Sequence, residues 1–142
     1  ELVDSSGAVV GRHQGLPLYT IGQRSGLALT PSPATAGQGA HGQRQRTFVL
    51  GMDHSNNRIT VGPEESLYRS TLTVRDAAFN IDPPDHPVRA KIRSHAPLAV
   101  CTLRRSGDAL EVDFGVAQRA VSPGQIIVFY DGEVVLGGGI IQ

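Results

Sequence analysis

The stretch that decides the fold lies near the end of the chain and reads Gln125-Ile126-Ile127-Val128-Phe129-Tyr130-Asp131-Gly132-Glu133-Val134-Val135-Leu136. Two apolar segments flank Asp131-Gly132, a dipeptide that favours the left-handed backbone of a two-residue hairpin turn. Short apolar segments bounded by turn residues are typical of β-strands. The stretch therefore predicts an antiparallel hairpin whose strands are residues 125–130 and 133–141.

The rest of the chain repeats this pattern of short strands between glycine, asparagine and proline turns, and no long stretch has the period of an amphipathic helix. Strands are expected at 8–10, 16–21, 46–52, 58–62, 71–79, 88–93, 98–104 and 109–114. The Pro/Gly-rich run 30–42 is expected to be a mobile loop. We therefore expect a mainly all-β protein, with a small β-rich unit at 1–66 and a closed barrel of about six strands at 67–142.

The composition is that of an ordinary globular protein, with 39% hydrophobic residues and thirteen basic residues balanced by thirteen acidic ones. Such a balance gives nucleic-acid binding no general support. No apolar run approaches the roughly 20 residues that a membrane helix needs. We expect a cytoplasmic protein without membrane contact, and the start in mid-motif indicates a piece of a longer chain.

No catalytic residue or metal site is predicted. The single cysteine, Cys101, lies in an alternating strand, where it is expected to be a small buried hydrophobe and not a nucleophile. The histidines are not spaced as metal ligands. The triple glycine at 137–139 follows a strand instead of opening a helix, which favours a bulge or a close backbone approach over a nucleotide-binding loop.

Two segments carry groups that bind nucleic acids. The turn 22–26 presents Gln23 and Arg24 between glycines, which suits phosphate or base edges but also an ordinary surface turn. Residues 89–95 alternate so that Arg89, Lys91, Arg93 and His95 share one face of a predicted strand. This basic stripe, about 20 Å long, is compatible with tracking a phosphate backbone and with a solvated outer barrel face.

The segments HQGLPLYTIGQRSGL at 13–27 and AVSPGQ at 120–125, with the triple glycine at 137–139, resemble the C-terminal part of bacterial tRNA-specific 2-thiouridylases. This family was formerly called tRNA (5-methylaminomethyl-2-thiouridylate)-methyltransferase. The resemblance covers essentially the whole chain. It implies a small central domain and a translation-factor-like β-barrel that contact the tRNA, while an N-terminal domain uses ATP to thiolate the wobble uridine.

The resemblance also assigns candidate tRNA-binding residues. Arg93 matches an arginine implicated in tRNA contact, and Gln125 matches a second contact point. Ser94 stands where the family usually has tyrosine, which removes a stacking or phenolic contact. The further candidates are Arg24, Gln23, Arg12 and Lys91.

The resemblance implies that this portion grips tRNA and positions the anticodon, and that it is inactive alone. The ATP-binding loop and both catalytic cysteines of the family fall outside the chain, so no cofactor is expected in this portion. The expected partners are tRNA, the N-terminal catalytic domain and a sulfur-carrier protein. The alternative is a protein-interaction barrel that docks a sulfur carrier or another subunit without RNA contact, which exposed apolar patches would favour.

Overall fold

A computed structural model describes residues 1–30 and 46–142. The expected loop at 30–42 lies, apart from its first residue, outside the described residues. The chain divides into two compact units, Glu1–Leu67 and Tyr68–Gln142. No helix among the described residues is long and apolar enough to cross a membrane.

The first unit is a small mixed sheet. Its elements are β1 (Leu2–Val3), β2 (Val9–Gly11), a 3₁₀ turn (Leu16–Leu18), β3 (Phe48–Asp53), β4 (Arg58–Gly62) and a second 3₁₀ turn (Glu64–Leu67). The strand order is β2-β1-β4-β3, with β1 parallel to β4 and the other pairs antiparallel. Its core contains Leu2, Leu16, Tyr19, Val49, Ile59 and Val61.

The prediction of a strand over 16–21 is wrong. The chain instead forms the 3₁₀ turn Leu16–Leu18, with Pro17 in its first positions. Proline lacks the N–H that a strand ladder needs and has the φ of a first helical turn. Leu16 still faces the core, so its burial does not depend on the strand. The strands predicted at 46–52 and 58–62 correspond to β3 and β4, which form an antiparallel hairpin with Asn57 in a left-handed backbone at φ 49°.

The second unit is a closed barrel of six antiparallel strands, which confirms the predicted fold class. Its strands are β5 (Tyr68–Phe79), β6 (Val88–Lys91), β7 (Ala99–Ser106), β8 (Ala109–Arg119), β9 (Ile126–Asp131) and β10 (Val134–Ile141). Their order around the barrel is β10-β5-β8-β7-β6-β9. The hairpin predicted from residues 125–141 is β9–β10.

Alternate side chains of these strands fill the barrel. Phe129 is completely buried and stacks on Phe79, with the ring centroids 5.8 Å apart. The glycines of β10 allow the backbones to approach closely: a Cβ added to Gly138 would lie 2.4 Å from the carbonyl oxygen of Ile127. The pairing of β10 with β5 is also irregular between Gly138 and Ile140. The predicted bulge and close approach at the triple glycine are confirmed.

Candidate nucleic-acid interface

The barrel topology brings two connections to one end. Lys91 pairs with Val128, so β6 ends beside the beginning of β9. β8 runs to Arg119 at the same end, because its other end forms the hairpin with β7. The β6–β7 loop (residues 92–98) and the end of β8 with its connection to β9 (residues 120–125) therefore lie together. We call this the arginine end of the barrel.

A shallow, open cleft of about 340 Å³ lies between these two connections. One hydrogen bond spans it: the Arg93 Nη2 donates to the backbone carbonyl oxygen of Arg119 at 2.7 Å. None of the described lining residues is acidic: Ile92, Arg93, His95, Ala96, Pro97, Gln118 and Arg119. The described lining of the cleft thus includes two arginines and the apolar residues Ile92, Ala96 and Pro97.

The carboxylates of the barrel gather mainly at the opposite end. The turns β7–β8 and β9–β10 and the β5–β6 loop carry Asp82, Asp85, Asp108, Asp131 and Glu133. Glu111 lies within β8 and is engaged by Arg104 through the Arg104 Nε at 2.9 Å. The formal charge of the chain is zero, but these carboxylates lie away from the arginine end, and Arg104 and Arg89 lie with them. A neutral total therefore does not prevent a local excess of positive charge beside the cleft.

The prediction that residues 89–95 place their basic side chains on one strand face is wrong for the residues after Arg93. β6 ends at Lys91, and residues 92–96 form a turn in which the Ala96 N–H donates to the carbonyl oxygen of Arg93 at 3.1 Å. The turn is required because the chain reverses here to begin β7 at Ala99. The alternation itself persists as far as Arg93, which is exposed next to the buried Ile92. His95 therefore lies in the turn and not on the strand face.

Three of the candidate residues come together at the arginine end. Arg93 and Ser94 are exposed in the β6–β7 loop. Gln125 directly precedes β9, with its side chain exposed and its backbone fixed by the Ile141 N–H, which donates to the Gln125 carbonyl oxygen at 2.9 Å. Lys91 is half-buried on the neighbouring strand. Sequence reasoning missed Arg119, although this arginine immediately precedes the AVSPGQ segment.

Gln23 stabilises its own loop in the first unit. Its Oε1 accepts from the Thr20 N–H at 3.0 Å, and its Nε2 donates to the Ser25 carbonyl oxygen at 2.9 Å. Its backbone carbonyl oxygen also accepts from the Val49 N–H at 2.9 Å, which attaches the loop to β3. The side chain of Gln23 therefore acts first as a brace for the turn that presents Arg24.

Arg24 and Arg12 are the exposed cations of this region. Neither guanidinium makes a hydrogen bond or an ion pair among the described residues. The Arg12 N–H donates to the carbonyl oxygen of Ala28 at 3.4 Å, which connects the residue after β2 to the chain beyond the Arg24 turn. The two arginines are available to a ligand, and the backbone around each is held in place.

His13 has a structural role in the same unit. Its Nδ1 accepts a hydrogen bond from the Gly15 N–H at 3.1 Å, so the proton is assigned to Nε2, which donates to the Asn57 carbonyl oxygen at 3.0 Å. The imidazole edge also packs against Tyr19, with the ring centroids 6.0 Å apart. Both ring nitrogens form hydrogen bonds within the fold, so His13 connects its own loop to the turn between β3 and β4.

Cys101 is the buried hydrophobe that its strand pattern predicts. Only 1% of the residue is exposed. Burial raises the pKa of the thiol to about 11, because the apolar surroundings disfavour the thiolate. A protonated, inaccessible thiol is a poor nucleophile.

Two family models together match nearly the whole chain. Residues 69–141 match the aminomethyltransferase β-barrel domain, and residues 1–63 match the tRNA methyl transferase PRC-barrel domain. The descriptions agree with a small β unit followed by a closed barrel. These matches place the chain among the β-barrel portions of tRNA-modification proteins.

Similar curated proteins specify the family further. The tRNA-specific 2-thiouridylase MnmA of Symbiobacterium thermophilum is 44% identical over 99% of this chain and 34% of its own length. The proteins of the same name from Clostridioides difficile and Roseiflexus castenholzii are 39% and 43% identical over 99% of the chain. The chain belongs to the bacterial tRNA-specific 2-thiouridylase family, and it spans about a third of the length of these relatives.

Proposed function

We propose that this chain binds tRNA and positions its anticodon for ATP-dependent 2-thiolation of the wobble uridine. In this proposal the arginine end makes the principal contact of the barrel, through Arg93, Ser94 and Gln125. The observation that carries the proposal is the open cleft beside the exposed Arg93, whose Nη2 is held at 2.7 Å from the backbone carbonyl oxygen of Arg119. The family membership supplies the substrate class.

The chemistry of these groups suits an RNA backbone. An arginine guanidinium binds phosphate oxygens through a planar pair of N–H donors. The hydroxyl of Ser94 and the amide of Gln125 provide donors and acceptors for phosphate or ribose hydroxyls. Such contacts fix the position of an RNA without reading its sequence. This is the task that a positioning portion requires.

We further propose a division of labour within the whole protein. The thiolation chemistry and ATP belong to an N-terminal catalytic domain, with sulfur supplied by a carrier protein. This portion would then contribute affinity and orientation, and it would be inactive alone. The neutral total charge supports a modest affinity for this portion, because each phosphate contact adds only one increment.

The test is the binding of a fluorescent tRNA with a wobble uridine to the 142-residue chain across a salt series. We expect weak, salt-sensitive binding. Arg93→Gln should lower the affinity roughly three- to ten-fold and reduce the slope of log K against log salt by about one.

Arg89→Gln is the matched control. Arg89 lies on β6, the strand that leads into the loop with Arg93, and its Nη2 also donates to a backbone carbonyl oxygen, that of Gly132, at 3.3 Å. Arg89 differs from Arg93 because its contact lies at the carboxylate-rich end of the barrel. No binding at low salt would contradict the proposal, and so would equal losses in the two variants.

Exposed apolar side chains near the same end favour a second candidate, the docking of a sulfur-carrier protein. Val116 is 77% exposed, Ile126 67% and Val100 58%. Val100 precedes Cys101, which pairs with Phe114, so Val100 and Val116 lie on adjoining strands. Val116→Ser separates the candidates: it should leave tRNA affinity unchanged and weaken binding to a purified sulfur carrier only if docking occurs here.

A further inference from the structure

We propose that the cleft at the arginine end binds one unpaired nucleobase of the RNA. In this site His95 packs on the face of the base, and the side-chain amide of Gln118 contacts its edge. The proposal rests on the tRNA-binding function above and deepens it, because it adds a base contact to the backbone contacts assigned to Arg93, Ser94 and Gln125. Neither His95 nor Gln118 has a part in those backbone contacts.

The floor of the cleft is apolar and belongs to the barrel core. Ile92 is 4% exposed, and the half-buried Ala96 packs against the same core cluster. Pro97 lines the cleft beside them. Phosphates and free ions bind through hydrogen-bond donors and charges, which such a floor lacks. The face of an aromatic base is itself apolar, so a base gains from burial against this floor.

A turn fixes the position of His95 at the cleft. The Ala96 N–H donates to the carbonyl oxygen of Arg93 at 3.1 Å, so Ser94 and His95 are the two central residues of a four-residue turn. Pro97 restricts the backbone of the residue before it. The imidazole of His95 is exposed, lines the cleft, and makes no hydrogen bond or ion pair among the described residues. This planar ring is available to stack on a base.

The amide of Gln118 is oriented before any ligand binds. Its Nε2 donates to the Val116 carbonyl oxygen at 2.6 Å, and the need for a donor there distinguishes the Nε2 from the Oε1. No hydrogen bond to the Oε1 occurs within the described parts of the chain. Gln118 also lines the cleft. Its Oε1 can therefore accept from an N–H group on the edge of a base, and an oriented amide loses less entropy on binding.

Arg93 connects this site with the RNA backbone. Its Nη2 donates to the backbone carbonyl oxygen of Arg119 at 2.7 Å, which holds the Arg93 guanidinium beside the cleft. The bond uses only part of the donor set of a guanidinium, so other N–H groups remain for a phosphate. A cation beside an apolar cleft with an oriented amide matches one nucleotide, with its phosphate at Arg93 and its base in the cleft. A protein side chain on the floor would not need the ring and the amide together.

The experiment compares two fluorescent probes by anisotropy. One is an oligouridylate of about ten nucleotides, which falls within the usual site sizes for single strands. The other is a ribose–phosphate oligomer of the same length and charge that carries no bases. We expect the wild-type chain to bind the oligouridylate roughly five-fold more tightly or better, because only this probe can fill the cleft.

Variants at the cleft test the two side chains. His95→Ala should lower the affinity for oligouridylate roughly five-fold and leave the affinity for the base-free oligomer unchanged. His95→Phe should keep most of the preference, because it keeps a planar ring. Gln118→Met should lower the preference roughly three-fold, because it removes the amide. The slope of log K against log salt should stay the same in all three variants, because no phosphate contact is lost.

His54→Ala is the matched control. His54 is also an exposed histidine in a turn, between β3 and β4, and it makes no hydrogen bond or ion pair among the residues that the structure describes. This variant should bind both probes as the wild type does.

Three outcomes would overturn the base site while tRNA binding persists. These are equal affinity of the wild type for the two probes, a loss in His95→Ala no larger than in His54→Ala, or a shallower salt slope in His95→Ala, which would assign His95 to a phosphate. If tRNA binds and neither oligomer does, His95→Ala and His95→Phe are compared on tRNA, and equal affinities overturn the site.

Failure of the underlying function gives a different result. Absence of binding to tRNA and to both oligomers would overturn that function and the base site with it. Circular dichroism checks the folding of each variant. If Gln118→Met fails to fold, the two His95 variants decide the outcome.

Discussion

Gly138→Ala should destabilise the barrel strongly, because β10 closes it through a backbone contact that a side chain would occupy. The added Cβ would lie 2.4 Å from the Ile127 carbonyl oxygen, whereas ordinary contact begins near 3.4 Å. β9 and β10 would have to separate locally by about 1 Å, which is enough to break about two ladder hydrogen bonds of about 1 kcal/mol each. Strain in the neighbouring core adds about 1–3 kcal/mol. We expect a loss of at least about 3 kcal/mol.

Cys101 provides an assay for this loss. It is the single cysteine, it is 1% exposed, and it lies within the barrel, so a thiol reagent reaches it when the barrel opens. When opening is fast relative to labelling, the rate follows the free energy of opening. A loss of about 3 kcal/mol corresponds to labelling roughly 100-fold faster. The midpoint temperature for thermal unfolding of the barrel should fall by more than about 10 °C.

Gly115→Ala is the matched control for Gly138→Ala. Gly115 lies in β8 of the same barrel, and nothing lies within 4 Å of the Cβ that alanine would add. Its stability should change by no more than about 0.5 kcal/mol. Equal labelling rates for the two variants would refute the reasoning, because they would show that the close approach in β10 does not constrain the fold.

Two further predictions follow from the buried thiol and from the brace in the first unit. Burial raises the pKa of Cys101 to about 11, above the ordinary thiol value of 9.0, so the fold keeps its full stability below pH 9 and loses part of it as pH rises toward 11. The free energy of unfolding measured with denaturant should therefore fall by about 1.3 kcal/mol between pH 8 and pH 10. The difference between the pH–stability curves of wild type and Cys101→Ala should show this loss. Identical pH dependence in the two proteins would contradict it. Gln23→Ala should speed hydrogen exchange of the Thr20 amide, which donates to the Gln23 side chain. Gln23→Glu should speed this exchange less, because it keeps the acceptor oxygen. Equal exchange rates in the two variants would show that the Gln23 side chain does not brace the turn.

The sequence was most informative where turn chemistry and strand pattern agreed. Asp131-Gly132 between two apolar segments predicted the β9–β10 hairpin, and the structure has it. The segment 16–21 misled because its apolar residues do fill the core, but from a 3₁₀ turn around Pro17. In a short segment, a buried turn and a buried strand have the same hydrophobic pattern. Proline was the signal that could have separated them.

The candidate site was only partly predictable for a different reason. Arg93 and Gln125 could be selected individually, but their shared position depends on which strands pair, and here Lys91 pairs with Val128. Arg119 carries no local signal for a cleft, because its partner residue lies 26 positions earlier. Contacts of this kind are set by the closure of the barrel and not by the spacing within any one segment.

The same closure limits what the net charge of a chain can predict about nucleic-acid binding. A neutral total excludes a uniformly basic surface, but it does not constrain how charge is distributed over a fold. In an antiparallel barrel successive connections alternate between the two ends, so acidic turns and basic loops that follow one another in sequence become separated in space. The turns with Asp108, Asp131 and Glu133 lie at one end, while Arg93 and Arg119 lie at the other. At physiological salt, interactions between exposed charges are screened beyond about 8 Å, so the local arrangement of charges around the exposed Arg93 matters more for an anionic ligand than the net charge of the chain.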